Sequence, residues 1–261
     1  MTVQVLVVTM NQKKGDYSLL DKMNIQSDAI VCNQCDYNEV VEFIYKEHKV
    51  KWMSFKEKGV GLNRNNGLMR STADICILAD DDMVFLDGYQ KIVLDWFEKY
   101  PQTDILLFHL LKNNLNDKCS TKVKKVWKHN FGRYGAARVV FRSEKVKLHG
   151  IFFNTMFGGG CPYSCGEDTL FLSQCLNKGL KMLEVPCSIA CLTDGRESTW
   201  FEGYTDKFFY DKGVLYYVIN RHISKLLSLY HCLRHRKKYA AYGWYQAWKQ
   251  MCKGINSKLY L

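Results

Sequence analysis

The chain has 261 residues, 47% of them hydrophobic and 24% charged, with only 3 prolines, a balance that excludes a disordered linker protein and leaves room for a substantial core. Its formal charge of +11 admits a phosphorylated ligand, anionic lipid or nucleic acid as partner, while no apolar run approaches the roughly 20 residues needed to span a bilayer. The 11 cysteines, in a chain read as having no export signal, fit a reducing cytosol, so no structural disulfide is expected.

In chain order, Val3 to Val8 reads as a buried strand, Asp16 to Met23 as a short helix and Ala29 to Cys32 as a second strand, which together open a βαβ unit. A helix over Leu62 to Arg70 precedes Ile75 to Ala79, whose unbroken apolar run indicates a parallel strand covered on both faces. Gly88 to Tyr100 reads as a helix stopped by Pro101, and Ile105 to Leu110 as a strand. This alternation implies an α/β, three-layer arrangement around a mostly parallel sheet. The second half changes rhythm. Lys112 to Tyr134 is polar and basic, Ala137 to Phe141 is strand-like, Phe157 to Cys165 is a glycine-bearing loop, and Asp168 to Leu176 is a helix ending near Gly179. One domain over about 1–220 and a helical tail over 221–261 are expected. In that tail Arg221, Lys225, Arg234, Arg236, Lys237 and Lys238 are followed by Tyr239, Tyr242, Trp244, Tyr245 and Trp248. Such a tail suits a helix lying on an anionic membrane surface, and equally a solvated helix that packs its aromatics on the domain.

The strand Ile75 to Ala79 delivers Asp80, Asp81 and Asp82 to the carboxyl edge of the sheet, where open α/β sheets bind their ligands. Alternation along an extended chain turns Asp80 and Asp82 one way and Asp81 the other. Crowded carboxylates tolerate one another when a cation lies between them, and Mn²⁺ or Mg²⁺ takes such oxygen ligands together with substrate phosphates. The competing reading is a solvated strand-to-turn transition. Glu167-Asp168 opens a predicted helix, where capping alone would also place acidic residues; the preceding Gly158-Gly159-Gly160, however, permits close backbone approach to a ligand. Cys32 with Cys35, Cys161 with Cys165 and Cys187 with Cys191 have spacings open to zinc, but free thiols are the favoured reading. His129 and His149 receive no role.

Three blocks, Gly59 to Leu68, Ile77 to Asp82, and Phe157 to Gly160 continuing through Gly166-Glu167-Asp168-Thr169, resemble family two of the glycosyltransferases, which use nucleotide sugars and have the GT-A fold. The match covers about Val3 to Pro186, continues loosely through Ser198-Thr199-Trp200-Phe201, and is nearest to bacterial members that build surface polysaccharides. The resemblance implies a GT-A, Rossmann-like three-layer sandwich, with a nucleotide-binding half over about 1–110 and an acceptor half over about 111–220. It implies a UDP-linked sugar donor, a glycan or lipid-linked acceptor, and inversion at the transferred sugar. Asp82 would ligate Mn²⁺ or Mg²⁺, with Asp80 as its partner or on the ribose and Asp81 in support. Arg64 would position the nucleotide, Asp168 would be the base, and Glu167 would orient acceptor or base. Family members usually carry Asp-Asp-Gly-Ser after the second strand, where this chain has Asn33-Gln34-Cys35-Asp36, so Asp36 is the candidate base contact. The family's late metal-binding histidine has no counterpart in Cys191 to Arg196. The enzyme would be cytoplasmic, peripheral on the inner membrane face, and would not bind nucleic acid. A sugar nucleotidyltransferase and a non-catalytic basic membrane-binding protein are the alternatives.

Overall fold

A computed structural model of the chain describes residues 1–111, 121–193 and 201–257. The expected Asp194-Gly195-Arg196 and Ser198-Thr199-Trp200 segments, and residues 112–120, lie outside the described residues. The chain runs β1 (Val3–Met10), α1 (Leu19–Lys22), β2 (Asp28–Gln34), β3 (Glu39–Tyr45), β4 (His48–Phe55), α2 (Val60–Arg70), β5 (Ile75–Asp80), β6 (Met83–Phe85), α3 (Tyr89–Lys99), β7 (Ile105–Leu111) and β8 (Lys124–Val126). It continues with β9 (Val139–Arg142), α4 (Ser143–Leu148), α5 (Glu167–Asn177), β10 (Met182–Leu192), α6 (Asp206–Ile219), α7 (Ser224–Arg234) and α8 (Trp244–Asn256).

One sheet orders its strands β3-β4-β2-β1-β5-β9-β7-β10-β6, with β8 on β10. The pairs β1/β2, β1/β5, β2/β4 and β7/β10 are parallel, whereas β9 lies antiparallel between β5 and β7. Because β9 opposes both neighbours, β5 and β7 run the same way. Strands β4, β2, β1, β5, β7 and β10 therefore share one direction, and the sheet is mostly parallel.

Alternate side chains of the central strands feed two cores. Val5, Val7, Ile75, Ile77 and Ala79 pack with Leu20 of α1 and Tyr89, Val93 and Phe97 of α3. Leu6, Cys76 and Leu78 pack on the other side with Leu68 of α2, Val146 of α4 and Phe171 and Leu172 of α5. Burial on both faces is what the unbroken apolar runs require, and the result is the three-layer α/β, Rossmann-like arrangement.

Two features depart from the sequence reading. The expected Asp16 to Met23 helix shrinks to the single turn of α1. Residues 39–55 form a β-hairpin at the sheet edge whose turn residues Lys46 and Glu47 both have positive φ, 46° and 71°. That is the backbone of a tight hairpin turn, normally signalled by Asn-Gly or Asp-Gly.

The last three helices stack on the domain. Val214 and Leu215 of α6 join Leu170 of α5, Phe157 and Tyr163 in one cluster, and Phe209 of α6 joins Cys232, Tyr239, Ala247 and Met251 in another. The crossing of α6 and α8 depends on two glycines: a Cβ on Gly213 would lie 2.0 Å from the Met251 carbonyl oxygen, and one on Gly254 would lie 2.1 Å from that of Tyr210. Backbone on both sides leaves no flexible atom to yield. Gly213→Ala or Gly254→Ala should therefore cost about 2–3 kcal/mol through overpacking, read as a lower urea midpoint. An unchanged midpoint would show that the helices do not cross there.

Candidate active site

At the carboxyl edge of the sheet the three aspartates diverge. Asp81 turns towards β1, where the Thr9 hydroxyl donates to its Oδ2 at 2.6 Å and Gln12 Nε2 in turn donates to that hydroxyl at 2.8 Å. Asp80 turns towards α2 and accepts from Arg64 Nη2 at 2.7 Å. The Asp82 carbonyl receives both the Thr193 amide, at 2.9 Å, and the Thr193 hydroxyl, at 3.1 Å, which fastens the end of β10 to the turn. The opposite orientations of Asp80 and Asp81 follow from the alternation of an extended chain.

Arg64 is the centre of the arrangement. Its side chain is 4% exposed, and its Nε and Nη1 have no hydrogen-bond partner among the described residues. Burial alone would lower its pKa; the charges of Asp80, Glu167 and Asp168 outweigh that and hold it above its ordinary value. Asp80 is thus bound to the guanidinium directly, while Glu167 and Asp168, far away in sequence, act on it through their charge. Several contacts set its height. Asn65, the next residue of α2, donates to the Phe153 carbonyl at 2.9 Å and accepts the Phe153 amide at 2.8 Å, and the Phe153 ring lies 5.7 Å from the Arg64 guanidinium. The Val60 amide at the start of α2 donates to the Gly159 carbonyl at 2.9 Å, so the triple-glycine loop satisfies an otherwise orphaned helix N–H.

That loop also shapes the second cluster. Gly158 has φ of 103°, and a Cβ there would stand 2.7 Å from Glu167 Oε2 and 2.5 Å from a Val60 methyl. Only glycine fits both the angle and the space. Glu167 and Asp168 occupy the first turn of α5: the Gly166 amide donates to Glu167 Oε2 at 3.2 Å, and the Thr169 amide donates to Asp168 Oδ1 at 2.7 Å. Both carboxylates therefore do serve the helix start, as the capping reading holds, and their charges also act on Arg64. Burial, reinforced by the neighbouring Asp168, pushes the Glu167 carboxyl up to about 7, with Arg64 acting in the opposite direction.

Asp36 stands apart. It is exposed in the connection between β2 and β3. The groups at the nearby strand ends are ones the sequence reading passed over: Asn33 accepts the Gln12 amide at 3.0 Å and donates to the Ser54 hydroxyl at 3.1 Å, and the Tyr37 hydroxyl donates to the Gln12 carbonyl at 3.2 Å. Polar residues at the ends of apolar strands were the available signal. A cleft of about 390 Å³ opens beside the glycine loop, lined by Gly159, Gly160, Cys161, Phe201, Lys207 and Phe208 among others. Small-molecule sites commonly hold ~300–1,000 Å³. Lys207 in its wall is already paired with Asp211 at 2.7 Å and the Pro162 carbonyl at 2.9 Å.

Among the described residues, no group of three or more His, Cys, Asp or Glu side chains is placed to hold a metal ion. Asp80 and Asp82 are the oxygen donors whose chemistry fits a hard divalent cation, one that takes one or two carboxylates and fills its shell with phosphate and water. The described cysteines are free thiols, and burial pushes that of Cys32 up to about 12.

No sequence-family model and no curated protein matches the chain. Solved structures do. The chain superposes on S. aureus TarS 1-349 in complex with UDP-GlcNAc with a TM-score of 0.62 at 15% identity, covering 83% of this chain and 66% of that one. For S. aureus TarS 1-349 in complex with UDP the TM-score is 0.57 at 15% identity, covering 86% and 72%. For a longer S. aureus TarS structure it is 0.60 at 14%, covering 90% and 43%. The chain thus spans slightly less than two thirds of the first of these. At such identities the likeness is one of fold, and the Rossmann-like α/β architecture implied by the GT-A resemblance is the one observed.

Two outcomes follow from the site geometry. Arg64→Ala removes a buried guanidinium whose hydrogen-bonded partner Asp80 is 38% exposed, so stability should fall by about 1–3 kcal/mol, mostly through lost packing and one partly solvated pair; chemical denaturation measures it, and an unchanged midpoint would contradict the pairing. The Glu167 carboxyl is raised above its ordinary 4.5, so the folded chain holds that proton more tightly than the unfolded chain. The associated stability is complete below about 4.5 and is lost as pH rises towards about 7. Glu167→Gln should flatten the decline of stability across that window, as followed by unfolding midpoints at a series of pH values.

Proposed function

We propose that the chain is an inverting glycosyltransferase that moves a sugar from a UDP-linked donor to a hydroxyl of a glycan or lipid-linked acceptor in surface-polysaccharide synthesis, working in the cytoplasm at the inner membrane face. The observation that carries this reading is the buried Arg64 bound to Asp80 at the carboxyl edge of the sheet, with the charges of Glu167 and Asp168 from the start of α5 acting on it. Support comes from structures of similar fold that hold UDP-GlcNAc and UDP.

On this reading the residues divide the work. The acceptor hydroxyl loses its proton to Asp168 as its oxygen attacks the anomeric carbon, and the bond to the diphosphate oxygen breaks on the opposite face. Glu167 is less suited to be the base: its carboxyl is closed in by Gly158 and the Gly166 amide, and burial favours its protonated form. It orients the acceptor or its neighbour. Arg64 holds Asp80 in place and offsets the negative charge of the two clusters. A Mn²⁺ or Mg²⁺ ion held by Asp80 and Asp82 would supply Lewis-acid neutralisation of the departing diphosphate. Asp81 supports the turn through Thr9, and Asp36, exposed after β2, is the group offered to the nucleobase. The cleft of Phe201 and Phe208 beside the glycine loop suits the acceptor.

The deciding measurement is a screen of UDP-sugars with Mn²⁺ for release of UDP. Asp168→Asn should lower kcat for transfer by about 10²–10⁴ with little change in donor KM, and Asp82→Asn should abolish metal-stimulated UDP release. Pyrophosphate as the product would instead indicate a nucleotidyltransferase. A retained anomeric configuration would sink the single displacement.

A further inference from the structure

Helix α7 is packed inside out. It buries Ser224, Ser228 and Cys232, at spacings of four, against its neighbours α6 and α8. The large apolar residues Ile223, Leu226, Tyr230 and Leu233 are spaced three and four apart on the opposite side, and they are 43%, 68%, 60% and 45% exposed. In an ordinary surface helix the assignment is reversed. The aromatics that suggested an interfacial tail are mostly committed elsewhere: Tyr239 is buried, and Tyr242 and Trp248 pack on the cluster around Phe209. Trp244 and Tyr245 stay exposed at the start of α8, and the outward row of α7 is the larger apolar surface that the tail leaves open.

Its surroundings specify the occupant. Arg221, Lys225 and Arg234 flank the row, and Arg236, Lys237 and Lys238 follow in the turn to α8, while no Asp or Glu occurs from Arg221 to Leu261. Arg234 Nη1 donates to the Tyr230 hydroxyl at 2.8 Å, so one cation sits at the edge of the row itself. A symmetric contact between two copies would oppose like charges with no acidic residue of this segment to pair them. An anionic bilayer takes both features together, apolar side chains at the acyl boundary and cations at the headgroups. Among the described residues no helix is long and apolar enough to cross a membrane, so the contact is one of surface docking.

We infer that the outward face of α7, formed by Ile223, Leu226, Tyr230 and Leu233 within its basic rim, is the surface by which the chain docks on an anionic phospholipid membrane. This stands independently of the proposed transfer reaction, because none of these residues belongs to the site around Arg64. The test is flotation of the full chain with phosphatidylcholine vesicles with and without phosphatidylglycerol. The unchanged chain should float only with the anionic vesicles. The triple variant Leu226→Gln, Tyr230→Gln, Leu233→Gln should lose at least about tenfold in vesicle affinity, since several buried apolar groups are withdrawn together, while its thermal melt and its UDP release from a soluble donor stay unchanged. Lys225→Gln with Arg234→Gln should weaken flotation and its salt dependence. Flotation unaffected by the apolar changes, or removed by salt alone, would reduce the effect to generic cation attraction and overturn the inference. So would a concentration-dependent dimer abolished by the triple variant, or tighter binding to RNA than to vesicles.

Discussion

A guanidinium that is 4% exposed, bound to Asp80 and acted on by the charges of Glu167 and Asp168, is the constraint around which this molecule is arranged. Asp80 ends a central strand, and Glu167 and Asp168 begin a helix on the far side of the glycine loop; without a cation between them their charges would repel in a partly dry cleft. Arg64 can serve both only because α2 is pinned at its start by the Gly159 carbonyl and beside the arginine by the reciprocal Asn65 to Phe153 pair. The asparagines of α2 are poor helix formers, and their burial makes sense as anchoring. Asn63 does the same on the sheet side, donating to the Cys32 carbonyl at 2.8 Å.

The glycine loop links this centre to the helices that follow. Its Gly158 leaves room for the Glu167 carboxylate, and Gly166 brings the start of α5 against Leu215 of α6, whose Cδ1 would stand 2.7 Å from a Cβ at that position. Helix α6 in turn meets the backbone of α8 at Gly213. The tail is therefore joined to the acidic helix by two successive close approaches, each dependent on a missing side chain. A basic segment that composition suggests could be a loose appendage is held in register with the cleft.

Much of the first half was legible because its signals are periodic. The apolar run of Ile75 to Ala79 indicated a strand buried on both faces, and the sheet edge it reaches carries the aspartates. The two acidic pairs were visible as candidates; their meeting was not, since nothing in linear spacing relates Asp80 to Asp168. Arg64 was legible as a site residue only through the resemblance, because an arginine in a helix reads as solvated until its burial is known. The edge hairpin was missed for a local reason: Lys46 and Glu47 take positive φ without the glycine or asparagine that announces it. Strand β9 was found, but its antiparallel insertion between β5 and β7 depends on a long return of the chain that alternation does not encode.

Helix α7 marks a different boundary of what periodicity can tell. Its sequence carries two competing stripes, the serines and cysteine at 224, 228 and 232 and the large apolar residues at 223, 226, 230 and 233. Burial preference assigns the second stripe to the core. The structure assigns it outward, because the small residues let the α7 backbone come close to helices whose own faces are already filled by Phe209, Tyr239 and Met251. Close helix approach and apolar burial are separate requirements that usually coincide on one face. Where they separate, the face that loses its protein partner is the one that needs another solvent, and the uninterrupted positive charge around it determines which solvent that is.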